Sequence, residues 1–196
     1  EKLTVDHRIR WETVRFPFDA PVPPPHRYTG FGMERLRGER DKGRKSLWGT
    51  RIAVQYGATH VMMLDGDDLV SNRLAGWCHD HPDAAGWWIE TGWLWTEGSR
   101  WLVERVDHSF SSLCGSSHIV HSRFLGDDTL SRSFDDPSIE ECGWWLPHGY
   151  IRTRLRELDE GYSPLPFRGA VYVRHGSNMS APWSGWARAW VRRVVR

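Results

Sequence analysis

The run His60-Val61-Met62-Met63-Leu64 constrains this chain more than any other stretch, because it ends in Asp65-Gly66-Asp67-Asp68. An apolar run of this length is too short to cross a bilayer and reads as a buried strand. Three carboxylates around one glycine repel one another, whereas a hard divalent cation, which prefers oxygen ligands, turns that repulsion into affinity. Gly66 lets the backbone turn tightly between Asp65 and Asp67. Immediately upstream, residues 44–56 place Trp48, Ile52 and Tyr56 on one helical stripe, and Gly57 stops the helix. A helix feeding a buried strand with a polar carboxyl end is the pattern of open α/β sheets, whose ligands bind beyond the strand ends.

The remaining sequence supplies further strands and helices for such a sheet. Trp11 to Phe16 alternates like a strand with one wet face, and residues 19–43, rich in proline and glycine, read as a long loop. Ser71 or Asn72 caps a short helix through Cys78, ended by Pro82-Asp83. Gly86 to Trp95 and Arg100 to Arg105 are β-prone on either side of a Glu97-Gly98 turn. The small-residue loop Leu113 to Ser117 runs into a strand near Ile119, and residues 126–141 are polar and irregular. A helix over 144–158 carries Ile151, Leu155 and Leu158 on one stripe, with Gly161 as its stop. A strand over 169–174 ends at His175. The tail, residues 183–196, puts Trp183, Trp186, Ala187, Trp190, Val191 and Val194 on one face of a basic amphipathic helix appended to a single domain over 1–182.

At 196 residues and a formal charge of +1, the chain has the length for a substantial core and no global electrostatic case for nucleic acid as a partner. It shows neither a bilayer-length apolar segment nor a signal peptide, and Cys78, Cys114 and Cys142 are odd in number without CxxC pairing. Reduced thiols in a cytoplasmic setting fit that pattern. Cys78-His79-His81 lacks a fourth ligand at zinc spacing.

In order along the chain stand a basic segment, Asp41-Lys42-Gly43-Arg44-Lys45, and a strand ending in Asp65-Gly66-Asp67. An aromatic hairpin, a Cys114-Gly115-Ser116-Ser117 loop, an amphipathic helix and a strand ending in His175 follow. This ordered set resembles the GT-A fold glycosyltransferases, particularly family-2-like enzymes of bacterial or phage type, whose DxD motif Asp65-Gly66-Asp67 matches. The resemblance implies an α/β fold, a Rossmann-like mixed sheet flanked by helices. GT-A domains open with two nucleotide-binding strands and only one candidate precedes the basic segment here. Either the chain is a piece of a longer protein or its early part has diverged.

The same resemblance implies a sugar donor linked to UDP or GDP, with Asp65, Asp67 and His175 around Mn²⁺ or Mg²⁺ and Asp41, Lys42, Lys45 and Asp65 around the nucleotide sugar. Asp68 is then a capping or supporting group. His148 and Glu141 are the candidates for a catalytic base, which an enzyme retaining configuration does not need. Trp93, Trp95, Gly115 and Ser116 border the acceptor, a sugar, lipid or protein. The tail helix suits either an anionic membrane surface or packing on the domain. Two rival readings stand beside this one. A haloacid-dehalogenase-like phosphatase would use Asp65 as nucleophile, although Leu69 stands where its motif expects Thr or Val. A non-catalytic carbohydrate-binding module would use some of the thirteen tryptophans. A calcium-binding EF-hand is excluded, because Leu69, Val70 and Gly76 occupy positions that need oxygen, glycine and glutamate.

Overall fold

Two mixed β-sheets and four α-helices make up the described part of the computed structural model, which comprises residues 9–10, 12–14, 33–105, 108–126, 130–131, 133–134, 148–159, 161–176 and 191–195. The elements are α1 (Met33–Gln55), β1 (His60–Met62), β2 (Leu69–Val70), α2 (Arg73–Asp80), β3 (Gly86–Trp88), β4 (Gly92–Thr96), β5 (Leu102–Arg105), α3 (Phe110–Leu113), β6 (His118–His121), α4 (His148–Leu158), β7 (Ser163–Pro164), β8 (Ala170–Arg174) and β9 (Val191–Val195). The first sheet has the order β1-β6-β3-β7 and the second β2-β8-β4-β5-β9. Because β6 runs antiparallel to both β1 and β3, those two strands are parallel and their carboxyl ends open on the same side. In the second sheet β8 lies parallel to β4 and antiparallel to β2, so the acidic loop between β1 and β2 links the two sheets.

The core follows the two-residue alternation of the central strands. Trp87 and Ile119, paired across β3 and β6, pack into a cluster with Ile89, Phe110, Leu165 and Tyr172. Trp88 and Val120 point the other way, onto Ile151 and Leu155 of α4, Leu125 and Tyr162. A sheet covered on both faces needs an unbroken apolar run, which is why Gly86-Trp87-Trp88-Ile89 shows no polar alternation. Two of its buried polar side chains pair with each other, whereas Trp88 Nε1 is buried without a hydrogen-bond partner. The Tyr162 hydroxyl donates to the Trp87 carbonyl (3.1 Å), and the Tyr162 hydroxyl oxygen accepts from His118 Nδ1–H (2.8 Å).

Several expectations need correction. α1 begins at Met33, so the second half of the expected loop is helical. Its buried face carries Arg40, Arg44, Leu47 and Thr50, not the Trp48, Ile52 and Tyr56 stripe; Tyr56 is 71% exposed. Arg44 Nε donates to the Phe134 carbonyl (2.7 Å), and arginine stems lie along apolar surface, so this inner face has no apolar period to detect. β1 is shorter than expected and only half-buried, as its place at the sheet edge dictates. The strand expected over Trp11 to Phe16 is absent at the described residues 12–14; its other positions lie outside the described residues. The tail contains a strand where a helix was expected: β9 pairs antiparallel with β5. Val191-Arg192-Arg193-Val194-Val195 is rich in β-branched residues, and the open edge of β5 lets it extend the sheet. Residues 183–190 lie outside the described residues. Elsewhere the β4–β5 hairpin turns at Glu97-Gly98 as expected, Ile151 and Leu155 are buried on α4, and β8 ends one residue before His175. Among the described residues, no helix is long and apolar enough to cross a membrane.

Candidate metal and phosphate site at the carboxyl end of β1

The chain leaves β1 at Met62 and turns over Gly66-Asp67, where the Asp68 N–H donates to the Asp65 carbonyl (3.1 Å). This turn separates the three carboxylates, and each meets a different partner. Asp65 Oδ1 accepts from Lys42 Nζ at 2.6 Å, a half-buried ion pair between α1 and the strand end. The Asp65 N–H donates to Ser116 Oγ (2.8 Å), and Gly115 lies so close that a Cβ there would come within 2.6 Å of Asp65 Oδ2. Asp65 is therefore gripped from two sides.

Asp67 points to the other sheet, where its Oδ2 is 2.7 Å from His175 Nε2. Two neighbouring ligands at about 2.1 Å from one ion lie about 3 Å apart, so this oxygen and nitrogen stand near the spacing of a shared cation. Asp68 turns inward and is 6% exposed. Its Oδ1 accepts from the Val173 N–H (3.0 Å) and its Oδ2 from the Cys114 thiol (3.3 Å). These bonds tie the acidic loop to β8 two residues before His175, which sets how Asp67 and His175 face each other. Burial pushes the Asp68 carboxyl up from its ordinary range, with the Val173, Ser116 and Cys114 hydrogen bonds opposing. Burial, then the Asp68 charge, pushes the Cys114 thiol far above its ordinary value, so it is an inert structural cysteine.

The raised Asp68 carboxyl has a consequence for stability. The fold favours its protonated form, so its contribution is full below the ordinary carboxylate range and is lost as pH rises through the folded value. Asp68→Asn keeps an acceptor for the Val173 N–H and removes a buried charge. Its Tm is expected to exceed wild type near pH 7, with the advantage shrinking toward about pH 4. Thermal melts at the two pH values check this, and a lower Tm at neutral pH would contradict it.

A cleft of about 590 Å³ lies between α1 and β1, lined by Asp41, Lys42, Lys45 and Gly49 on the helix and by Met62, Leu64, Asp65 and Gly66 on the strand side. Lys45 Nζ pairs with Asp41 Oδ2 at 2.5 Å, one helical turn away. The cleft thus brings together all four residues expected to contact the nucleotide sugar. The expected metal set is divided: Asp67 meets His175, while Asp65 is held by Lys42. Among the described residues, no group of three or more His, Cys, Asp or Glu side chains is placed to hold a metal ion.

Of the expected acceptor residues, Ser116 is 0% exposed and hydrogen-bonded to Asp65, which leaves it no surface for an acceptor, and Gly115 backs the Asp65 carboxylate. Trp93 and Trp95 are half-buried on β4, with Arg168 over the Trp93 ring (5.6 Å) and Trp95 Nε1 donating to the Ser99 carbonyl (3.0 Å). Trp95 is in register with Val173, which places it toward the His175 end of β8. His148 opens α4, and Glu141 lies outside the described residues. Sequence reasoning gave Asp68 the supporting role it holds and overlooked Glu90, which stands just beyond β3 with its Oε2 3.0 Å from His108 Nδ1. The signal for Glu90 was present: it ends an apolar run as Asp65 does. No family model, curated protein or solved structure matches this chain.

Proposed function

We propose that this chain is a metal-dependent glycosyltransferase of the GT-A type, moving a sugar from a UDP- or GDP-linked donor to a sugar, lipid or protein acceptor. The observation that carries this reading is the meeting of opposite chemistries at one strand end. The Asp67–His175 pair lies to one side of Gly66 and the lysine-lined cleft to the other. The cleft volume falls within the range of small-molecule sites. The two mixed sheets and their helices are an α/β arrangement, the broad class to which GT-A domains belong.

A carboxylate oxygen and an imidazole nitrogen fit Mn²⁺ or Mg²⁺, which complete their shells with water and substrate phosphate and need only one or two carboxylates from protein. Bound there, the ion would supply charge neutralisation for the departing nucleoside diphosphate. Lys42 and Lys45 act as point charges for diphosphate oxygens. Lys42 exchanges its Asp65 partner for phosphate, and Asp65 becomes an acceptor for a ribose hydroxyl. Asp41 holds Lys45 at the cleft mouth until phosphate arrives. Contact with a membrane through a helical tail loses its support at Val191–Val195, which lie in the second sheet.

Calorimetry with UDP and GDP, each with and without Mn²⁺, tests the proposal. Metal-dependent binding is expected for one nucleotide, weakened by about 10-fold or more in Lys42→Ala, the loss of one charged hydrogen bond. Complete absence of metal-dependent nucleotide binding would sink it. Phosphate release from a generic phosphomonoester, lost in Asp65→Asn, would instead favour a phosphatase.

A further inference from the structure

Glu90 lies two residues beyond β3, at the sheet edge that also carries Asp65, because β1 and β3 both run antiparallel to β6. Backbone contacts make the proximity concrete. The Ile89 N–H donates to the Ser117 carbonyl (2.8 Å), and neighbouring Ser116 Oγ accepts from the Asp65 N–H. The Ser116–Ser117 segment thus bonds both to Asp65 and to the residue before Glu90. Glu90 Oε2 is 3.0 Å from His108 Nδ1, and the His108 side chain is 68% exposed. His108 also has φ +58, a left-handed conformation uncommon outside glycine. Its neighbours hold it there: Arg105 Nη2 donates to Ser109 Oγ (2.8 Å), and Phe110 is fully buried. A histidine this exposed gains little stability from a carboxylate contact, so stability does not account for its conformation. Backbone strain of this kind gathers at functional sites.

We infer that His108 and Glu90 form a general-base dyad for the acceptor hydroxyl, an inference that rests on the glycosyltransferase reading above. With Nδ1–H donated to Glu90, Nε2 is the ring nitrogen left to accept a proton. The acceptor oxygen bonds to the anomeric carbon as its proton passes to His108 Nε2. The bond between the anomeric carbon and the diphosphate oxygen breaks, and its electron pair leaves with the nucleoside diphosphate. Glu90 steadies the imidazolium so formed and acts as a positioning residue. The dyad takes the base role that the sequence offered to His148 or Glu141.

The test uses the full chain and water as acceptor: nucleoside diphosphate released from UDP- and GDP-sugars with Mn²⁺, alongside calorimetric affinity for the nucleotide. His108→Asn tolerates the left-handed backbone and removes the base, and Glu90→Gln keeps its shape. His108→Asn is expected to lower kcat by about 100-fold and Glu90→Gln by about 10-fold, with donor KM and nucleotide affinity within about twofold of wild type. Glu90→Asp should restore part of the rate. Unchanged kcat in His108→Asn overturns the dyad, as does parallel loss of kcat and nucleotide affinity. Loss of turnover in His148→Asn but not in His108→Asn also overturns it, as does a wild-type protein that binds nucleotide and Mn²⁺ but hydrolyses no donor. Absence of any metal-dependent nucleotide binding overturns the parent reading, and the base role with it.

Discussion

Replacing Asp67 by alanine is expected to abolish metal-dependent nucleotide binding, weakening UDP or GDP affinity in Mn²⁺ by more than about 100-fold. Loss of an outer-shell partner already costs about 10- to 100-fold in metal affinity, and a directly ligating carboxylate exceeds that. Asp67 is partly exposed and belongs to no core cluster, whereas the buried tie of the loop to β8 is Asp68. Asp67→Ala should therefore keep the wild-type circular dichroism spectrum and melt within a few degrees of wild type, about the range of surface substitutions. Calorimetry with and without Mn²⁺ reads the effect directly. Undiminished metal-dependent affinity would remove Asp67 from the site and leave the Asp67–His175 pair as a structural contact between sheets.

The largest stability effect is expected at Gly86. Its φ is +122, and a Cβ there would lie 2.1 Å from the Ile119 carbonyl oxygen and 3.1 Å from the Val120 Cα. These are backbone atoms of β6 and have no rotamer with which to yield. β3 supplies Trp87 to one core cluster and Trp88 to the other, so displacing it disturbs both. Gly86→Ala is expected to cost about 3 to 5 kcal/mol, the range of strain combined with core disruption. At about 2–4 °C per kcal/mol for a chain of this size, Tm should fall by roughly 10 °C. The Ile89 bond to Ser117 should loosen with it, and with that the Ser116 support of Asp65. A variant melting within about 2 °C of wild type would show that β3 and β6 can separate at this point without loss.

Local sequence carried the elements whose signal is short-range. The strand leading to Asp65-Gly66-Asp67, the turn at Glu97-Gly98, Ile151 and Leu155 of the α4 stripe and the strand before His175 occur where spacing placed them, whereas Leu158, the third member of that stripe, is 59% exposed. The first part of α1 and its buried face escaped because that face is built from Arg40 and Arg44, whose carriers of apolar surface are methylene stems that no hydrophobic period registers, whereas its second half was read as a helix. β9 escaped because a short run of valines and arginines fits a helix face or a strand equally, and only the free edge of β5 decides between them.

What the sequence by itself determined is that three carboxylates follow an apolar strand downstream of a basic segment, since that follows from bonded order and side-chain period. Which partner each carboxylate meets was a tertiary matter. Asp65 took Lys42, 23 residues away, Asp68 took Val173, 105 away, and Asp67 took His175, 108 away. The last two pairings exist because β8 folds back beside β2 and β4, burying Asp68 and leaving Asp67 at the surface. Identical side chains in adjacent positions acquire different roles once the sheets decide which of them loses its water.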